Sequence, residues 1–112
     1  MRYALLIYEV PGAAQALGHE AQEAARREYM ALAQSPGIQG GEGLQGVDTA
    51  TTVRFRDGKA LVTDGPFADT KEVFGGFYLL EADDLDAAIK VAGRIPATRQ
   101  GGSVEIRPIL EM

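Results

Sequence analysis

The sequence predicts an α+β fold: a ferredoxin-like split βαβ sheet with an inserted β-hairpin and two helices on one face, paired sheet to sheet as a homodimer. Three observations lead there. Strand-like and helix-like segments follow one another in the order β-α-β-(hairpin)-β-α-β. Two of the strands are apolar on both faces, which suits central strands covered on both sides. Asp57-Gly58 lies between two short runs, the strongest local signal for a hairpin. With 112 residues the chain is expected to form one domain, 1–112, and 46% hydrophobic with 24% charged residues is ordinary globular composition.

Arg2–Glu9 is the first strand, with Tyr3, Leu5 and Ile7 on one face and Ala4, Leu6 and Tyr8 on the other; Pro11-Gly12 ends it. An A-x-A triplet at Ala14-Gln15-Ala16 invites a signal-peptide reading, but the apolar run is too short for the roughly 7–15 residues of a secretory core. No stretch approaches the roughly 20 apolar residues of a membrane span, so a cytoplasmic protein without membrane contact is expected. Glu20–Gln34 is predicted helical, because Ala21, Ala25, Tyr29 and Leu32 recur at helical spacing. Ser35-Pro36-Gly37 stops it. The glycine-rich segment that follows gives a short, twisted strand around Ile38–Leu44.

Thr51–Arg56 and Lys59–Thr63 form the hairpin, and Asp64-Gly65-Pro66-Phe67 turns a sharp corner. Val73–Ala82 is the second two-faced strand. Asp83-Asp84 caps a helix running to about Ile95, with an apolar stripe of Leu85, Ala88, Ile89, Ala92 and Ile95. Ser103–Ile109 is the last strand. Two helices cover one sheet face only, and an apolar face left open is unusual for a monomer. A second, identical sheet about a two-fold axis is the simplest cover. The alternative is that the hairpin and C-terminal tail fold over that face.

Composition narrows the function. Eleven Lys and Arg against 16 Asp and Glu give a net charge of −5, which disfavours direct nucleic-acid or anionic-membrane binding. No cysteine means no disulfide framework, thiol nucleophile or Cys-based zinc site, and a single histidine excludes His-rich metal sites. No EF-hand spacing is present, and no metal or cofactor is expected. Gly41-Glu42-Gly43-Leu44-Gln45-Gly46 matches G-x-G-x-x-G, but it follows a helix and leads into β structure, so close strand approach explains it better than a nucleotide.

Asp64 is the leading catalytic candidate, by register. If Asp57-Gly58 is the two-residue loop, Thr51 pairs with Asp64 and Val53 with Val62, placing Asp64 on the face of Val53, Phe55, Ala60 and Val62. A carboxylate at the rim of an apolar face loses solvent and gains acid/base character. The bland alternative is an Asp that begins a turn by accepting a backbone N–H two residues on. Arg54, Lys71 and Arg107 are candidate anion contacts, against surface ion pairing, for Arg107 with Glu105. His19 is a candidate ligand-binding base, against a solvated position at a helix start.

Several segments together resemble the YCII-related family, in the branch named for its DGPF motif. They are Tyr3–Tyr8, Gly43-Leu44 with Ala50–Arg54, Asp64-Gly65-Pro66-Phe67, Thr70-Lys71-Glu72, Gly75-Gly76-Phe77-Tyr78 and Gly102-Ser103-Val104-Glu105-Ile106-Arg107-Pro108. The resemblance implies a dimeric α+β barrel. It also implies a histidine–aspartate pair for acid/base work, whose aspartate Asp64 matches. The histidine is expected near Arg26 or Arg27 and is absent there; His19 lies earlier. Genes of this branch are associated with sigma factors of the extracytoplasmic-function class. The expected function is a dimer binding a small anionic molecule near the Asp64 corner, with acid/base catalysis in prospect. The alternative is a non-catalytic regulatory module for a sigma factor.

Overall fold

The computed structural model describes residues Met1–Met112. At its centre, strand β1 (Arg2–Glu9) alternates: Tyr3, Leu5 and Ile7 are buried, while Ala4, Leu6 and Tyr8 are half-buried on the other side. Strands β2 (Ile38–Gly43), β5 (Val73–Glu81) and β6 (Ser103–Pro108) complete a sheet in the order β2-β5-β1-β6, every neighbour antiparallel. That is the order of a split βαβ plan. Helices α1 (His19–Ala33) and α2 (Leu85–Ala92) lie on one face. The core joins Tyr3, Leu5, Ile7, Tyr78 and Leu80 of the sheet to Leu32, Ala88, Ala92, Ile95 and Ala97 of the helical layer.

The second helix departs from the predicted stripe. Ala88, Ala92 and Ile95 are buried, but Leu85 and Ile89 are half exposed. The helix ends at Ala92 rather than near Ile95 because Pro96 disfavours helical backbone at the residue before it. Ile95 is extended (φ −70°, ψ 122°) and enters the core ahead of a 3-10 turn, Pro96–Arg99. At the start of α2, Asp84 accepts the Ala87 N–H at 2.9 Å, as expected of the Asp83-Asp84 pair.

β2 explains the glycines. A Cβ on Gly41 would collide with the Phe77 carbonyl oxygen, and one on Gly76 would lie 2.7 Å from the Glu42 carbonyl oxygen. Within the G-x-G-x-x-G match, close strand approach thus accounts for Gly41, whereas a Cβ on Gly43 would meet nothing within 4 Å. Gly46 leads into a three-residue 3-10 turn, Val47–Thr49, and not the helix a dinucleotide site requires.

The hairpin, β3 (Thr51–Arg56) and β4 (Lys59–Asp64), forms a sheet of its own. Thr51 pairs with Asp64, Val53 with Val62 and Arg56 with Lys59. Asp57 and Gly58 both take positive φ (53° and 76°), as a type I′ turn demands. Almost every hairpin side chain is exposed, Phe55 to 76% and Val53 to 62%.

The molecule measures 46 × 42 × 19 Å, a thickness with room for sheet and helices but no third layer about 10 Å further out. Neither the hairpin nor the exposed tail at Leu110 and Met112 covers the open sheet face. Ala4, Leu6, Tyr8, Phe77 and Leu79 are half-buried there, with Phe74 more exposed.

Candidate functional site

The apolar face of β1 meets the two loops that flank the hairpin, and a cavity of about 680 Å³ lies between them. Leu6 and Tyr8 come from β1, and Phe74 joins them from β5 through a register shift beside Ile7 and Tyr8. The Tyr8 and Phe74 rings pack at 5.6 Å between centroids, tilted by 55°. Leu44 and Val47 come from the loop before the hairpin, and Phe67 from the corner after it.

That corner is built by the backbone. Gly65 has φ +97°, the left-handed region glycine favours. Its N–H donates to the Ala50 carbonyl at 2.7 Å, and the Thr52 hydroxyl donates to its carbonyl at 2.7 Å. Together they pin the corner to the start of β3 and hold Pro66 and Phe67 over the cavity. Polar atoms are few. Glu72 is the one carboxylate in the lining, and it accepts the Ser103 hydroxyl at 2.7 Å from β6.

The five residues singled out in the sequence do not converge. Asp64 ends β4, two residues before Pro66, and is exposed. It shares a face with Val53, Phe55, Ala60 and Val62 as the register requires, but nothing covers that face within one chain, so the expected desolvation is absent there. Nor is it a turn-former by side-chain bonding: the residue two positions on is Pro66, which has no N–H to donate. Arg54 is exposed on the opposite hairpin face, and Lys71 is exposed in the loop between the lining residues Thr70 and Glu72. Arg107 lies on the open sheet face across from Ala4, and no ion pair joins it to Glu105. His19 is exposed at the first position of α1, remote from the cavity lining.

Sequence reasoning missed Tyr8, Phe74, Leu44, Val47, Phe67 and Glu72. Tyr8 was legible as part of a second apolar face, but its meeting with two distant loops was not.

On the helical side of the sheet two phenols are held from solvent. Burial raises the Tyr29 hydroxyl above its usual value of 10.0; Glu9 adds to this, while the Ala97 backbone and Arg99 oppose it. Burial and then Glu28 raise Tyr78, whose hydroxyl donates to the Tyr29 carbonyl at 2.9 Å.

Comparisons with known proteins agree with this architecture. An uncharacterized protein of Rhizobium meliloti (strain 1021), R00369, is 35% identical over 115 residues, spanning 97% of this chain and 92% of the relative. Among solved structures, the chain is similar to 5-chloro-2-hydroxyhydroquinone dehydrochlorinase (TftG) from Burkholderia phenoliruptrix AC1100, in complex with 2,5-dihydroxybenzoquinone. The TM-score is 0.57 at 18% identity, covering 100% of this chain and 96% of the other, a likeness of fold. No helix is long and apolar enough to cross a membrane. A model of the YCII-related domain matches residues 1–112 from end to end, in keeping with the DGPF corner and the closing G-S-V-E-I-R-P run, and the chain belongs to that family.

Proposed function

We propose that the chain is a small-molecule-binding homodimer whose ligand, a planar and largely apolar molecule, sits between the open sheet face and the Gly65-Pro66-Phe67 corner. The cavity is the observation that carries this reading. Its volume of about 680 Å³ falls in the range of roughly 300–1,000 Å³ typical of ligand sites. Tyr8, Phe67 and Phe74 offer ring faces and edges for stacking. No Lys or Arg lines it, so an anion gains no charge partner and the anionic ligand expected from the sequence is replaced by a neutral aromatic one. Asp64, two residues before the lining begins at Pro66, is the acceptor through which acid/base work would enter.

The first probes are a panel of neutral phenols and quinones, with 2,5-dihydroxybenzoquinone, the molecule in the structural neighbour's complex and a vinylogous acid ionised at neutral pH, as the anionic comparison. The chain has no thiol for a quinone to alkylate, so binding is cleanly read. A ligand at 100 times its dissociation constant adds about 2.7 kcal/mol, several degrees of thermal shift. The shift is expected in wild type and lost in Val47→Trp, which fills the cavity. A shift kept in Val47→Trp, or none from any compound, overturns the reading. In the same screen, loss of the shift in Asp64→Asn assigns the carboxylate to the ligand, and an unchanged shift removes Asp64 from the site.

A second reading, a regulatory module for a sigma factor, is favoured by Arg26 and Arg27 standing where the family's histidine is expected. Co-purification of a sigma factor from native lysate supports it; a clean homodimer under gentle conditions counts against it.

A further inference from the structure

The hairpin is the least supported part of this molecule, and its chemistry says what it docks on. A two-stranded hairpin alone is at best marginally stable in water. This one pairs with no other strand, yet one face carries Val53, Phe55, Ala60 and Val62 while Arg54, Arg56 and Lys59 occupy the other. Such a two-sided pattern is made to bury one face.

Surface area gives the scale. The chain exposes 7926 Å², whereas a compact folded monomer of 11.9 kDa exposes about 5,900 Å². The excess, about 2,000 Å², is well above the roughly 800 Å² each partner gives to a standard interface. A second copy of the chain fits as the occupant: its open sheet face presents Ala4, Leu6, Phe77 and Leu79, an apolar surface to match Val53, Phe55 and Val62 of the arm, and a two-fold axis gives each copy both surfaces.

We propose that β3–β4 is an arm exchanged between two copies of this chain, its Val53–Phe55–Val62 face laid on the partner's open sheet face at the mouth of the cavity. About a two-fold axis the exchange is reciprocal, and one contact covers both apolar surfaces. Each cavity is then closed by the partner subunit's Phe55, and Asp64, at the base of the same arm face, loses the solvent it has in a single chain. The closure rests on the cavity reading above; the arm exchange does not.

The absence of cysteine makes the test clean, because introduced thiols are the only ones present. Chains carrying Phe55→Cys are mixed with chains carrying Leu44→Cys, at the cavity rim, and treated with a short bismaleimide. A covalent species of twice 11.9 kDa is expected from the mixture. Replacing Leu44→Cys by Leu85→Cys, on the helical layer, should abolish it. In parallel, wild type is expected to sediment as a dimer and Phe55→Asp as a folded monomer with an unchanged far-ultraviolet spectrum. No cross-link from the Phe55→Cys and Leu44→Cys mixture overturns the proposal. So does a wild-type monomer, or a Phe55→Asp variant that stays dimeric. Neither readout needs a ligand, so a protein that cross-links but binds no compound fails the cavity reading alone.

Discussion

Asp84 shows how one side chain sets where an element begins. Its carboxylate takes the Ala87 N–H, one of the donors a helix start leaves without an internal partner. Asp84→Ala should cost about 1 kcal/mol, seen as a lower urea midpoint with an unchanged slope. Tyr78 and Tyr29 act differently, through the proton each retains. Unfolded, both ionise near pH 10. Folded, burial raises both, so above pH 10 the unfolded chain binds fewer protons and stability falls as pH rises. Below pH 10 their contribution is fully present. Tyr78→Phe should remove part of that alkaline loss. At neutral pH it should cost about 0.5–1.5 kcal/mol for the bond to the Tyr29 carbonyl. Urea unfolding at neutral pH and as pH rises past 10 separates the two effects.

Elements differ in how much of them is written locally. Asp57-Gly58 fixes the hairpin register because a two-residue loop admits one pairing, and that pairing put Asp64 on the right face. The solvent around that face was not legible, since it depends on what packs there. Likewise the apolar stripe carried the second helix to about Ile95, whereas Pro96 makes Ile95 extended and turns that residue into the core. The cavity was the least legible feature: β1 supplies its floor, but loops some forty and sixty residues further along the chain supply its walls. At this scale the arm exchange has its own consequence. Amides of β3 and β4 should be protected from hydrogen exchange in wild type and lose protection in Phe55→Asp, while β1 and β5 keep theirs. Hydrogen exchange read by mass spectrometry over residues 51–64 checks this; equal protection in both proteins would show that the hairpin stands alone.

For the whole molecule, only 12 of 112 residues are buried, and the radius of gyration, 15.8 Å, exceeds the about 13 Å of a compact domain this long. A chain so thin and open draws little of its stability from its own core. Under the proposed arm exchange, dimerisation through the open face would move Leu6, Phe77, Leu79 and the arm's Phe55 out of water together, at about 25 cal/mol for each Å² of apolar surface. Thermal unfolding of the dimer is then coupled to its dissociation, and mass action applies to it. Each tenfold rise in protein concentration adds about 1.4 kcal/mol per dimer. Against an unfolding entropy of about 2.1 cal/mol/K per residue over two chains, that raises Tm by about 3 °C. Calorimetry at three concentrations spanning two decades should therefore show a rising Tm for wild type and a constant, lower one for Phe55→Asp. A wild-type Tm independent of concentration would mean that the flat monomer is stable by itself, and that its open face is held for some other partner.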